Sequence, residues 1–329
     1  MSRNTTLDNA KGVAILAVVI GHVLRGFNAA GWIADSLPLK LTDAVLYGFH
    51  VQTFFLIAGF LTFPKAASAR FQYERQINLY YPYLFWSVVS WAIAFALSDS
   101  VNRPVAARDL ILIPVMPIQH FWFLLELMIA TAVLALLRST RMLLIAAAVL
   151  VVLWYVPVLN WFSLKYNLLF VLAGALLRAG PGLPRPHVGL AIAAFAVLVG
   201  WAWLTTVQSL SISPLLLFPI QLGGCYACYV AADLMGRKEM LDAVFSYLGK
   251  HSLAIYLLHV FGGSGARIIL GAALPGTDPI LGTAISLSCA ILLPLAFEQI
   301  AVRLQFARLL GLRPLVALER REIIPVAAT

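Results

Sequence analysis

The chain alternates between long apolar runs and short polar breaks. The runs predict helices over residues 11–28, 44–63, 80–97, 118–137, 142–159, 164–178, 188–206, 214–232, 245–262 and 280–302. Most hold about 18 or more mainly apolar residues, enough to cross a hydrocarbon layer roughly 30 Å thick at ~1.5 Å per residue. In lipid each backbone amide must pair inside its own element, so only helices and closed barrels span. Barrel strands read as short alternating segments, which this pattern does not resemble. The expectation is an all-α polytopic transmembrane bundle of about ten spans.

Composition removes the soluble alternatives. Hydrophobic residues make up 62% of the chain and charged residues 11%, against about 25% charged in a soluble domain. The net charge of +9 would suggest nucleic acid in a soluble protein. In a membrane protein it reads as the positive-inside bias, and no nucleic-acid partner is expected. With the N-terminus inside, 17 of the 23 Lys and Arg residues fall on the inner side, and Arg25, Lys40, Arg103, Arg108, Lys165 and Arg267 fall outside. Both termini are therefore expected in the cytoplasm, with the chain in the inner (cytoplasmic) membrane. A single membrane domain over 1–329, ending in a basic tail at 303–329, is expected. The run Val13–Val23 follows Arg3, Asp8 and Lys11 and lacks a small-residue cleavage site, so it reads as the first span. Cys225 and Cys228 form a lone CxxC inside an apolar run, and Cys289 lies in another; they read as packing residues, with no metal site expected.

The orientation sorts the histidines. His22, His50, His120 and His259 fall in the outer half of four different spans, while His187 and His251 fall in inner loops. Ionisable groups inside spans are costly and face a bundle interior or a watery cavity. Four at similar depth predict a shared polar cavity, which an enzyme or a transporter would need. Lys11 and His22 are eleven residues apart, about 16 Å along a helix axis and nearly on one face. Alone, Lys11 is equally an interfacial anchor whose stem lies along apolar surface. Glu126, six residues beyond His120, should pair with a cation or histidine or stay protonated.

At these residues the chain resembles the membrane acyltransferase-3 family. Asp8-Asn9-Ala10-Lys11-Gly12 and His22 are similar to its lead-in and its (Arg/Lys)-x10-His motif. Phe49–Leu61 resembles its second-span segment, with Ala58 where Ser is usual, and His120-Phe121-Trp122-Phe123-Leu124 resembles its His-x-Trp-Phe-Leu element. Tyr247–His259 is similar to its late Gly-Lys-x-Ser-Leu-x-Ile-Tyr-x-x-His element. One further departure is Asn78, three residues after Arg75, where the family often has Arg-x-x-Arg. The resemblance runs from about residue 7 to 302. It implies ten spans and transfer of an acyl group, commonly acetyl, from cytoplasmic acyl-CoA to a hydroxyl, often on a cell-surface or lipid-linked saccharide.

On that reading His22 is the base that takes the hydroxyl proton, or a transient acyl carrier, with Glu126 a second catalytic candidate. Lys11, Arg70 and Arg75 would hold the CoA phosphates. His50, His120, Trp122, Tyr256 and His259 would line the acceptor site, with Trp86 a further aromatic candidate. Acyl-CoA is a co-substrate here, and no permanently bound cofactor is expected. The rival reading is a transporter of a small polar solute or polysaccharide building block.

Overall fold

The computed structural model describes residues 5–98, 101–102, 104–154 and 164–316, and among them every regular element is helical. The helices are α1 (Thr5–Ala29), α2 (Leu37–Tyr47), α3 (His50–Thr62), α4 (Ala69–Ala96), α5 (Ala107–Leu112), α6 (Trp122–Val133) and α7 (Thr140–Leu153). They continue with α8 (Leu164–Ala179), α9 (Val188–Val207), α10 (Pro214–Gly236), α11 (Glu239–Lys250), α12 (Ser252–Ala273) and α13 (Pro279–Arg303). Seven helical stretches are long and apolar enough to cross a membrane: α1, Leu37–Lys65, α4, α9, α10, α12 and α13. Trp122–Leu136 and Thr140–Leu153 are apolar but shorter, and α8 has 16 residues. Part of the run expected over 142–159, and residues 317–329 of the basic tail, lie outside the described residues.

Local chemistry sets the helix starts. Ser68 and Ser139 accept from backbone N–H groups three residues on, and Asp278 caps Ile280 and Leu281 with Pro279 behind it. These caps satisfy donors that a helix start otherwise leaves bare. Two expected spans are redrawn. The run 44–63 breaks between α2 and α3, where Phe49 takes φ −145° and ψ −28°. At the same break a Cβ on Gly48 would lie 2.6 Å from Leu198 of α9. The run 245–262 splits at His251, so that residues 245–250 belong to α11 and the apolar helix begins at Ser252 and reaches Ala273. His259 therefore sits well inside α12 rather than near its end, and Arg267 lies on that helix rather than in a loop.

Glycines let two helix pairs touch backbone to backbone. A Cβ on Gly249 of α11 would fall 1.8 Å from the Asp8 carbonyl oxygen of α1, and one on Gly12 would fall 2.2 Å from that of Phe245. Gly59 of α3 and Gly174 of α8 would each meet the other helix's carbonyl at 2.0 Å. Small residues at such crossings are how helices pack in lipid, where tails offer no hydrophobic drive. The first crossing sets α11 beside the start of α1, so α12 runs alongside α1 in the same direction. Outward-facing apolar side chains such as Ile192, Leu292 and Ile280, all more than half exposed, form the surface that lipid would cover.

Candidate active site

A cavity of about 700 Å³ runs between α1, α3, α4, α6 and α12. Its α1 wall is Lys11, Ile15, Val18, His22, Arg25 and Ala29, with Gly26 beside Arg25. The alternate steps of four and three residues form one helical stripe. Lys11 to Arg25 is about 21 Å along the axis, and Ser252 to Arg267 on α12 is about 22 Å; all four line this one cavity. The cavity therefore follows both helices for most of a bilayer's apolar thickness. A smaller cavity of about 60 Å³ adjoins it, lined by His22, His259 and Arg267 among others.

The imidazoles meet about 16 Å along the axis from Lys11, roughly one turn short of Arg25. Ring centroids of His22 and His259 lie 5.0 Å apart, those of His120 and His259 5.0 Å, and those of His22 and His120 5.8 Å. His50 joins through Tyr47, at 4.6 Å. Three of these rings have their tautomer fixed by a carbonyl, because a carbonyl can only accept. His50 Nδ1 donates to Leu46 O at 2.5 Å, His120 Nε2 to Tyr256 O at 3.1 Å, and His259 Nδ1 to Tyr256 O at 2.8 Å. Their other nitrogens, His50 Nε2, His120 Nδ1 and His259 Nε2, are buried without partners. His22 differs: among the described residues it has ring neighbours but no hydrogen-bond partner, and it lines both cavities. Both of its nitrogens are open to whatever fills the cavity.

The surrounding residues divide between cavity and core. Trp122, Tyr256, His50 and His120 line the main cavity. The Tyr256 hydroxyl donates to the His120 carbonyl at 2.5 Å, so this pair ties α12 to the segment before α6 in both directions. At one end stand Lys11, paired with Asp8 at 2.7 Å, and Arg75, whose Nε is buried without a partner. Arg70 does not line the cavity; it is exposed and paired with Glu74 at 2.9 Å. Glu126 is buried outside the cavity lining, its Oε2 accepting from Asn167 Nδ2 at 2.6 Å and its Oε1 unpartnered. Trp86 is likewise off the cavity, its indole N–H donating to Leu310 O at 2.7 Å. Asn78 clamps the main chain of Val316 in both directions, at 2.9 and 3.1 Å, so this position fastens the C-terminal segment to α4. Cys225 and Cys228 are buried thiols against the carbonyls of Phe49 and Ala10, each at 3.7 Å.

Several cavity residues escaped the sequence reading. Tyr47 and Gln119 line it, Gln119 at φ 49° with its Oε1 accepting from Ser90 at 2.8 Å. Arg25 and Arg267 stand at the end away from Lys11. Two spacings could have found them: Arg25 continues the Lys11–His22 stripe, and Arg267 follows Tyr256 by the same eleven residues that separate Lys11 from His22.

These features define a helical membrane protein with a histidine-centred chamber between two cationic ends. The sequence signature described as "Acyltransferase domain" matches residues 4–299, and the chain belongs to this membrane acyltransferase-3 family. It is similar to the nodulation protein NolL of Mesorhizobium japonicum, with 31% identity over 99 residues, 29% of this chain and 26% of that protein. NolL of Sinorhizobium fredii is 32% identical over 88 residues, 26% of this chain and 24% of that protein. The chain thus spans about a quarter of the length of these curated relatives. No solved structure matches.

Proposed function

We propose that this protein is a ten-span O-acyltransferase of the inner (cytoplasmic) membrane, with both termini in the cytoplasm and one membrane domain over its whole length. It moves an acyl group, acetyl in the simplest case, from acyl-CoA to a saccharide hydroxyl. The observation that carries this reading is one continuous cavity that holds Lys11 and Arg75 at one end and His22 about three helical turns away.

The donor's phosphates sit against Lys11 and Arg75, since ammonium and guanidinium groups both bind phosphate oxygens strongly. The thioester then extends toward His22. An imidazole nitrogen of His22 removes the acceptor hydroxyl proton as that oxygen attacks the thioester carbonyl. The tetrahedral oxyanion collapses, the carbon–sulfur bond breaks, and the imidazolium returns its proton to the CoA sulfur. Trp122, whose indole N–H has no protein partner among the described residues, is a donor free for the oxyanion or for the acceptor. The Tyr256 hydroxyl is already committed, so Tyr256 offers its ring face. His50 and His120 line the cavity and His259 its small neighbour. Each has one fixed nitrogen and one buried bare nitrogen, and these rings form the wall against which the acceptor packs.

Labelled acetyl-CoA supplied to inverted membrane vesicles tests the reading. Label on a saccharide product supports it. An intact thioester with solute moving across the membrane would instead make the cavity a transport path.

A further inference from the structure

We infer that the cavity end remote from Lys11 binds an anionic oxygen group, a carboxylate or a phosphate, carried by the saccharide, with Arg267 as its ligand. Calling that saccharide the acceptor rests on the acyl-transfer reading; the anion site itself does not. Two arginines stand at this end, in different conditions. Arg25 is spent: its Nε and Nη2 donate to both Asp43 oxygens at 2.5 and 2.7 Å, and its guanidinium lies 3.4 Å from the Tyr47 ring centre. Arg267 is only 7% exposed, yet it lines both the main cavity and its small neighbour.

Arg267 has little to offset that burial. Its Nη2 donates to the neutral Asn102 Oδ1 at 3.3 Å, and its Nε has no partner. No carboxylate pairs with it among the described residues. A guanidinium does not shed its proton in a protein, and a buried charge is tolerated when it is paired or hydrogen-bonded. Its planar fork matches the two oxygens of a carboxylate or phosphate. Asn102 is held in turn, its Nδ2 donating to Gly26 O at 3.1 Å, so the guanidinium is anchored on one side and open to the cavity on the other. Ser264 lines the same two cavities and offers a neutral hydroxyl beside it. The charge arrangement selects against a wholly neutral sugar.

The full-length protein in neutral detergent is titrated calorimetrically with methyl β-D-glucuronide, glucose 6-phosphate and methyl β-D-glucoside. At least one of the two anionic sugars should bind roughly tenfold or more tightly than the neutral glucoside. Preference for the glucuronide identifies a carboxylate ligand, and preference for the phosphate a phosphorylated one. Arg267→Gln should erase the preference, while Arg267→Lys, which keeps the charge without the fork, should retain part of it. Equal binding of neutral and anionic sugars by the wild type overturns the inference, as does a preference that survives Arg267→Gln. Because Lys11 and Arg75 line the same cavity, the titration is repeated in the Lys11→Gln, Arg75→Gln double variant. A preference kept there and lost in Arg267→Gln supports the site, and one lost there overturns it. Equal wild-type binding overturns the inference even where a variant does not fold. Acetyl-CoA binding and label transfer are measured separately. An anion preference without either removes the acyl-transfer reading alone, and transfer without an anion preference removes the Arg267 site alone.

Discussion

α1 and α13 are both 25 residues long and both apolar enough to span a membrane, yet the outward-facing hydroxyls of α13 and the polar residues of α1 find their partners in opposite ways. Glu298, at the far end of α13, reaches across to His251 and Arg313 as the α1 residues reach across. On α13, Thr283 and Ser288 donate back to carbonyls four residues earlier, at 2.7 and 2.9 Å. Such hydroxyls satisfy themselves and ask nothing of a partner. On α1, Asn9 reaches Asp242 at 2.8 Å, Arg25 reaches Asp43, and His22 reaches no acceptor among the described residues. Half of the apolar window of α1 is buried, against 22% for α13. A polar group that folds back on its own helix is compatible with lipid, whereas one that crosses to another element, or opens on a cavity, marks where the membrane has been displaced by chemistry.

If that distinction holds, His22→Ala should be the most damaging change for activity. Losing the base costs about 10²–10⁴-fold in rate, measured as labelled acetyl transfer in vesicles, while the protein still inserts and elutes as a monodisperse species. Transfer within a few-fold of wild type would mean that the open imidazole is not the base.

A second change attacks the frame of α1 instead of its chemistry. Gly249→Leu would drive a side chain into the Asp8 carbonyl region, already 1.8 Å from where a Cβ would sit. Such overpacking costs about 1–3 kcal/mol or more; we expect a large fall in melting temperature or outright loss of folded protein. Gly200→Ala on α9, where a Cβ meets nothing within 4 Å, should be neutral or slightly stabilising. Equal effects of the two would contradict the close crossing.

The contrast also explains what could be read from the chain. The all-helical architecture follows from apolar run length, and the Lys11–His22 stripe follows from helical periodicity. The limits of α12 did not. Gly262-Gly263-Ser264-Gly265 reads as a break in a sequence, because glycine weakens a helix by roughly 1 kcal/mol relative to alanine. In the fold Gly262 lies against α13, where a Cβ would be 2.6 Å from the Cys289 carbonyl oxygen, and Gly263 packs close to Ala290. Tertiary packing keeps the helix going, and Arg267 moves from an expected loop into the cavity wall. Trp86 and Arg70 lie off the cavity for the opposite reason. Their residue types suited a site, but whether such a side chain meets a cavity, a carbonyl or a neighbouring Glu is decided by long-range packing that local sequence does not encode.

Glu126 tests the same idea at intermediate scale. It is buried and ionisable, but it is joined to Asn167 across α6 and α8 and lies off the cavity. Gln keeps the shape and an acceptor for Asn167. The expected loss of transfer for Glu126→Gln is less than about tenfold, or 1.4 kcal/mol in barrier. A loss as deep as that of His22→Ala, at unchanged melting temperature, would restore Glu126 to the catalytic machinery.

The smallest expected effect is the most demanding of the comparison. Ser288 is exposed on α13, and its hydroxyl is satisfied by Ala284 O on its own helix. Ser288→Ala removes donor and hydroxyl together and frees a carbonyl that still carries its helical hydrogen bond, so no buried polar group is orphaned. Surface changes of this kind stay within about ±0.5 kcal/mol, and in lipid the lost hydroxyl is if anything favourable. Transfer rate and melting temperature should both match wild type. A clear drop in transfer at unchanged stability would mean that α13 meets a substrate or a partner through this face, and a self-satisfied hydroxyl would no longer serve to tell lipid-facing helices from working ones.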